Sequence, residues 1–261
     1  MRKFLVLGLL VLTALSLYGC KSTKTDLDYI MEKETFIVGF TDFPPMGYEE
    51  NGKATGFDIE LAEAVMEKLG VKLETRYIDW DAKVLELKSK RIDAVWNGLT
   101  ITEERKLEMT FSKPYFDNNL IIISKASSNI NAISDLANKN IGVENQSSAD
   151  IATSKNTEIT ASVKEIKKYN TSAEAMLALN AGQVDAVVVD EIYARYEVML
   201  KTDGYRIAEE IIGSEQYGIG FRLGDTKLAE RINEIMTELE ADGTISELSI
   251  KYFGVDLFTK A

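Results

Sequence analysis

The sequence predicts an α/β protein folded as two similar lobes that meet at a cleft. Three observations predict it. Short β-branched and aromatic runs alternate with stretches of helical periodicity, the grammar of a mostly parallel sheet covered by helices. That grammar restarts near residue 140 and repeats two short phrases. A closing strand and two helices then follow without opening a third unit.

Thr35–Phe40 (TFIVGF) is a short apolar run read as a buried strand. Phe57–Leu69 places Leu61, Ala62, Val65, Met66 and Leu69 at helical spacing and stops at Gly70, a C-cap signal. Residues 71–77 read as a strand, 82–90 as a helix and 92–96 as a strand. In the second half Asn140–Glu144 is a strand, Ser148–Lys155 and residues 173–181 are helices, and 184–189 is a strand. Leu85-x-Leu87 stands eight residues before Asp93-Ala94-Val95, and Leu177-x-Leu179 stands eight before Asp185-Ala186-Val187. The match falls at the same helix–strand junction of each half and favours two lobes of like design. Residues 217–221 read as another strand. Residues 225–242 form an amphipathic helix through Leu228, Ile232, Ile235, Met236 and Leu239, and 246–253 a last helix. These closing elements complete the first lobe. Lobe 1 is therefore 35–117 with 218–255, and lobe 2 is 118–217. The chain crosses near 117–121 and again near 214–218. Two crossings make a hinge, and the cleft beside a hinge is a natural ligand site.

The N-terminus reads as an address. Arg2 and Lys3 precede an apolar run from Phe4 to Leu17, too short to span a bilayer and suited to the core of a signal peptide. The run ends in Leu17-Tyr18-Gly19-Cys20, which resembles a bacterial lipoprotein box. Residues 1–19 are then a signal peptide, Cys20 the lipidation site, and 20–34 a polar, lipid-anchored tether. The expected place of work is outside the cytoplasmic membrane, in the periplasm or at the cell surface. Losing Arg2 and Lys3 takes the net charge from −12 to −14. So acidic a chain is repelled by phosphate backbones, which excludes nucleic acid as a partner. There is no histidine, which removes Ser-His-Asp and Cys-His catalysis and every imidazole metal site. A lone cysteine forms no internal disulfide. No metal or cofactor is called for.

Phe43-Pro44-Pro45-Met46, Gly56-Phe57-Asp58-Ile59-Glu60-Leu61-Ala62, Asp79-Trp80-Asp81, Gly98-Leu99-Thr100-Ile101-Thr102-Glu103-Glu104-Arg105 and Phe111-Ser112-Lys113-Pro114-Tyr115 occur in that order. Gly142-Val143, Asp185-Ala186-Val187, Gln216-Tyr217-Gly218-Ile219 and Tyr252-Phe253-Gly254 follow. The ordered set resembles the polar amino-acid-binding proteins of ABC importers, the family-3 extracellular solute-binding proteins. The resemblance covers residues 35–255 and implies the two-lobed periplasmic-binding-protein fold, with a free amino acid captured in the cleft and delivered to an ABC permease. A monomer is the expectation.

The resemblance implies a role for each of several residues. Arg105 resembles the clamp on the ligand carboxylate, where its fork of donors matches two oxygens. Thr100 would offer its backbone N–H to the carboxylate and its hydroxyl to the ammonium, and the Gly98 carbonyl would accept from the ammonium. Thr102 either supports Arg105 or caps the helix that follows. Asp190 ends a buried strand, where α/β ligands sit, and would be the ammonium counter-ion. Ser147 and Ser148 open a helix whose free N–H groups favour a carboxylate, though either serine also fits as a plain N-cap. Gln146 stands where the family usually has glycine. The ligand side chain would meet Phe43, Trp80, Asn97 and Glu144. Glu144 could pair a cationic side chain, bind an amide or a second ammonium, or face solvent. Arginine, lysine, glutamine and cystine form the favoured group. Asp93 and Asp185, at the entering ends of their strands, read as structural. Two other functions share this fold: a periplasmic lyase or dehydratase, and a sensory ligand domain.

Overall fold

The computed structural model describes residues 24–201 and 204–258. The signal peptide and Cys20 lie outside the described residues. Two five-stranded sheets organise the chain. The first has the order β4-β1-β5-β12-β6, built from β1 (Thr35–Phe40), β4 (Lys72–Tyr77), β5 (Ala94–Val95), β6 (Met109–Phe111) and β12 (Gly220–Arg222). The second has the order β11-β7-β10-β8-β9, from β7 (Phe116–Lys125), β8 (Asn140–Glu144), β9 (Glu165–Tyr169), β10 (Ala186–Asp190) and β11 (Tyr205–Tyr217). A small hairpin of β2 (Tyr48–Glu50) and β3 (Lys53–Thr55) stands apart. The parallel core of each sheet is extended by antiparallel strands: β12 and β6 in one, β7 and β11 in the other.

Helices α1 (Asp26–Lys33), α2 (Phe57–Leu69), α3 (Lys83–Lys88) and α4 (Glu103–Lys106) belong to the first sheet's side. So do α9 (Thr226–Ala241) and α10 (Thr244–Phe253). Helices α5 (Ser148–Lys155), α6 (Thr157–Ser162), α7 (Ser172–Asn180) and α8 (Glu191–Leu200) surround the second. In α9 the residues Leu228, Ile232, Ile235 and Leu239 form one buried stripe, as the periodicity requires.

Three expectations are corrected. The segment read as tether is helical over Asp26–Lys33 and docks on the first lobe. Thr25 and Asp28 form a capping box, Ile30 is fully buried, Asp26 accepts from Leu228 N (2.8 Å), and Lys33 pairs with Asp93 (2.6 Å). With a single buried aliphatic and charged anchors, its sequence looks like a solvated linker. The strand read over 217–221 is two strands in different sheets: β11 ends at Tyr217 and β12 starts at Gly220. Gly218 lies at this crossing, where an added Cβ would stand 2.7 Å from the end of the Ile101 side chain and Ile101 would have to shift. Finally, residues 82–90 and 92–96 shrink to a 3₁₀ turn plus α3 and a two-residue β5.

The crossings near 117 and 216 pair with each other, Asp117 with Gln216 and Phe116 with Tyr217. Phe116 stacks on Tyr217 (5.7 Å between centroids) and packs against Phe57 and Phe253, so the hinge carries a continuous aromatic core.

Candidate functional site

The C-terminal ends of β1, β5, β8 and β10 converge where the sheets face each other. There a cavity opens. All ten ligand-site residues expected from the sequence line it, together with Thr41.

One end is cationic. Arg105 leaves α4, whose N-cap Thr102 accepts from Arg105 N (3.1 Å), so Thr102 fixes the backbone that aims the guanidinium. Arg105 is 7% exposed. It donates to the carbonyls of Thr100 (2.8 Å) and Gln146 (3.3 Å) and keeps further N–H groups for an anion. Beside it, Ser147 accepts from Asp150 N as the N-cap of α5, and Ser148 is the first helical residue. Gln146 takes a left-handed backbone, φ +55°, a conformation that glycine adopts more readily.

The other end is anionic. Asp190 is 6% exposed and makes no cap bond to α8. Instead Tyr217 Oη (2.6 Å) and Asn118 Nδ2 (2.7 Å) both donate to its Oδ1, leaving Oδ2 with no protein donor among the described residues. Burial, then the neighbouring Glu215 carboxylate, push the Asp190 acid well above the usual range. An ammonium placed there would stabilise its ionised form.

The wall between these ends is assembled by backbone. Gly98 has φ +61° and an added Cβ would press on Phe43 at 2.9 Å. Its N–H donates to Asp58 Oδ2 (2.7 Å), whose Oδ1 accepts from Tyr115 Oη (2.8 Å). Burial raises Asp58 to about 7. Asn97 accepts from Thr41 N (2.9 Å) and donates to Gly47 O (3.1 Å), so most of its amide serves the loop carrying Phe43.

The remaining lining is aromatic and acidic. Phe43 stacks on Tyr193 of the opposite lobe (5.3 Å, 17°). Trp80 has Lys83 Nζ over its ring at 4.8 Å. Glu144 faces the cavity rather than solvent, at 6% exposed. Its Oε2 accepts from Ser172 Oγ (2.7 Å), while Oε1 is buried without a partner among the described residues. Burial raises Glu144 to about 7, against the pull of Ser172 and Lys83. Lys83 is itself pushed down to about 7, by burial and then by Arg105.

Sequence reasoning missed Lys83, Asn118, Tyr193 and Glu215. Lys83 falls in the stretch read as a helix over 82–90; it is buried and donates to Trp80 O (2.9 Å). Asn118 and Glu215 lie on the crossing strands, and only the long-range pairing of β7 with β11 brings them against the lining residues Asp190 and Thr100. Asp93 and Asp185 fall outside the cavity. Each accepts from a backbone N–H of a neighbouring strand, Ile37 N of β1 (2.9 Å) and Asn140 N of β8 (2.8 Å). Among the described residues no group of three or more His, Cys, Asp and Glu could hold a metal ion.

The sequence profile of the bacterial extracellular solute-binding proteins, family 3, matches residues 36–255. The chain is 31% identical to the L-arginine-binding protein of Pseudomonas aeruginosa, covering 99% of each chain. It is 30% identical to the L-cystine-binding protein TcyJ of Escherichia coli K12, covering 88% of this chain and 87% of the relative. Its fold matches the histidine-bound substrate-binding protein of an ABC uptake transporter from Streptococcus pneumoniae, with TM-score 0.87, 34% identity, and 90% and 98% of the two chains covered. With its two-sheet cleft and these matches along most of its length, the chain belongs to the bacterial extracellular solute-binding proteins of family 3.

Proposed function

We propose that the cleft takes one free α-amino acid with a cationic or strongly polar side chain, its carboxylate on Arg105 and its ammonium on Asp190. Family membership already makes the chain an extracytoplasmic amino-acid-binding protein of ABC transport rather than an enzyme on the same fold. The observation that carries the finer reading is the polarity of the cavity: a buried guanidinium at one end and a buried carboxylate at the other, matched to a zwitterion. Thr100, Gly98, Ser147 and Ser148 complete the grip on the fixed half of the ligand. Glu144, whose Oε1 has no partner among the described residues, lines the same cavity as Phe43 and Trp80 and favours a side chain that donates. Arginine, lysine, glutamine and cystine all donate, and so does histidine. Relatives named for arginine and cystine, and a histidine-bound neighbour, support this group.

A thermal-shift screen against all amino acids and cystine tests it. A ligand at 100 times its dissociation constant adds about 2.7 kcal/mol, roughly 5–10 °C in Tm for a chain of this size. Arg105→Ala should abolish the shift while the protein stays folded. A screen in which no amino acid raises the Tm would overturn the reading.

The protein acts as a monomer, hung on the membrane through a lipid on Cys20 after loss of residues 1–19, and hands its cargo to an ABC permease. The order of basic start, apolar run, glycine and cysteine supports the anchor. Cys20→Ser should move the protein from the membrane to the soluble fraction and end fatty-acid labelling; continued labelling would refute it.

A further inference from the structure

Glu215 stands outside the ten cavity residues, on β11 where the chain returns through the hinge. Its Oε1 accepts from Thr100 Oγ1 (2.7 Å), from Asn118 Nδ2 (2.9 Å) and from Ser148 Oγ (3.2 Å). Thr100 and Ser148 come from opposite lobes, both line the cavity, and their hydroxyls lie 3.1 Å apart. Each hydroxyl has one proton. The 2.7 Å bond commits the Thr100 proton to Glu215. The Ser148 proton then goes to Glu215 or to the Thr100 oxygen. Either way both hydroxyls are left with only lone pairs for a ligand. The same Asn118 amide nitrogen bridges Glu215 to Asp190, so the acceptors at this end form one connected set.

We infer that Glu215 is a positioning residue that fixes Thr100 and Ser148 as acceptors, and so makes the site select a free, charged α-amino group over an α-hydroxyl. An ammonium brings three donors and no acceptor, which suits such a set. A hydroxyl brings one donor and lone pairs, which meet the lone pairs of Thr100 and Ser148, and it brings no charge to ionise Asp190. The selection works only with the lobes together, because the two hydroxyls reach Glu215 from different lobes. This inference rests on the amino-acid reading of the cavity and names a determinant of its specificity.

The test compares two matched probe pairs by calorimetry: L-arginine with its 2-hydroxy analogue, and L-glutamine with its 2-hydroxy analogue. Wild type should prefer the amino acid of the pair it binds. In Glu215→Gln the amide can donate to the hydroxyl oxygens and release their protons toward the ligand. The preference should then fall at least tenfold, chiefly through weaker amino-acid binding. Glu215→Asp, which keeps the charge, should restore part of it. A Thr100→Val change should absorb much of the Glu215→Gln effect, since the two act through one hydroxyl. If Glu215→Gln weakens both members of a pair equally, or leaves the preference intact, Glu215 is only a structural hinge residue and the inference falls. Should Glu215→Gln not fold, Glu215→Asp and Thr100→Val decide: an unchanged preference in both overturns it. Failure of the underlying amino-acid reading shows differently, as wild type binding no amino acid in the screen.

Discussion

Asp190→Asn should separate stability from binding. The substitution keeps shape, and the amide oxygen can still accept from Tyr217 and Asn118 on the Oδ1 side. It removes a carboxylate whose folded pKa is raised first by burial and then by Glu215. Such a group stabilises nothing in its ionised form. Below the unfolded pKa, near 3.8, both states are protonated and the substitution is neutral. As pH rises above that value the unfolded chain ionises while the folded site resists, and the wild type loses stability relative to the variant. The ligand-free variant should therefore gain on the wild type between about pH 4 and neutrality, by about 1.4 kcal/mol for each pH unit over which the folded carboxyl stays protonated. Each kcal/mol is about 2–4 °C in Tm for a chain of this size. Binding should move the other way. The new amide donors face an ammonium, and losing one partner of a buried charge pair costs about 2–5 kcal/mol, on the order of 30- to several-thousand-fold in dissociation constant. Thermal melts from pH 4 to 8 with calorimetry on the best amino acid read both halves. A ligand-free variant that is less stable at neutral pH, or one that binds as the wild type does, would refute the reasoning.

Two further predictions rest on other groups. Glu144, near 7 in the empty site, must ionise to pair a cationic side chain, so affinity for such a ligand should fall as pH drops below about 7, by up to tenfold per pH unit. Charging of Lys83 in the same window adds to the fall, and Glu144→Gln should flatten most of the profile; a flat wild-type profile from pH 5 to 8 would remove Glu144 as the side-chain partner. Asp93→Ala should cost about 3–5 kcal/mol, because fully buried Asp93 holds Lys33, Arg222 and Ile37 N together. Asp185→Ala should cost less in the same urea melts, as it loses a single bond to Asn140 N; equal costs would show that the ion pairs contribute nothing.

The aspartate pair shows why the doubled architecture was legible. In both lobes a helix presents Leu87 or Leu179 to the core and Leu85 or Leu177 outward, and the next strand begins beside an aspartate that accepts from a backbone N–H of the neighbouring strand. One packing solution used twice leaves the same residues at the same spacing. Much of the cavity was legible for a related reason: Gly98, Arg105, Ser147 and Asp190 sit where strands end and helices begin, and those junctions are visible in periodicity. The illegible parts depend on distant pairing. Helix α1 docks through Asp26 and Lys33 to partners at 228 and 93. Glu215 and Asn118 acquire their meaning only when two crossing strands, about a hundred residues apart, come into register. The direction of Glu144 is decided by Ser172 on α7, which no local pattern announces.

The distribution of charge explains how ligand and closure are coupled. With the lobes together, Asp190, Glu144, Arg105 and Lys83 are all withdrawn from water. The groups that bridge the cleft are the Thr100 hydroxyl with Ser148 and Glu215, the Gln146 carbonyl shared by Arg105 and Lys83 at 3.3 and 3.4 Å, and the Phe43–Tyr193 stack. The rim pair of Glu104 with Lys155 is solvent-exposed and screened, so it adds little. Closure without a ligand thus sets the desolvation of these charged groups against those contacts, and Asp190 has no cation within its own cluster of Asn118, Tyr217 and Glu215. A zwitterion supplies what both ends lack at once, an anion for Arg105 and a cation for Asp190. A ligand shifts a conformational equilibrium only by its differential affinity for the two states. On the proposed placement of the ligand, that difference resides in the two charges every amino acid carries, so the fixed half of the ligand would drive closure and the side chain, meeting Glu144, Phe43 and Trp80, would decide which amino acid does so best.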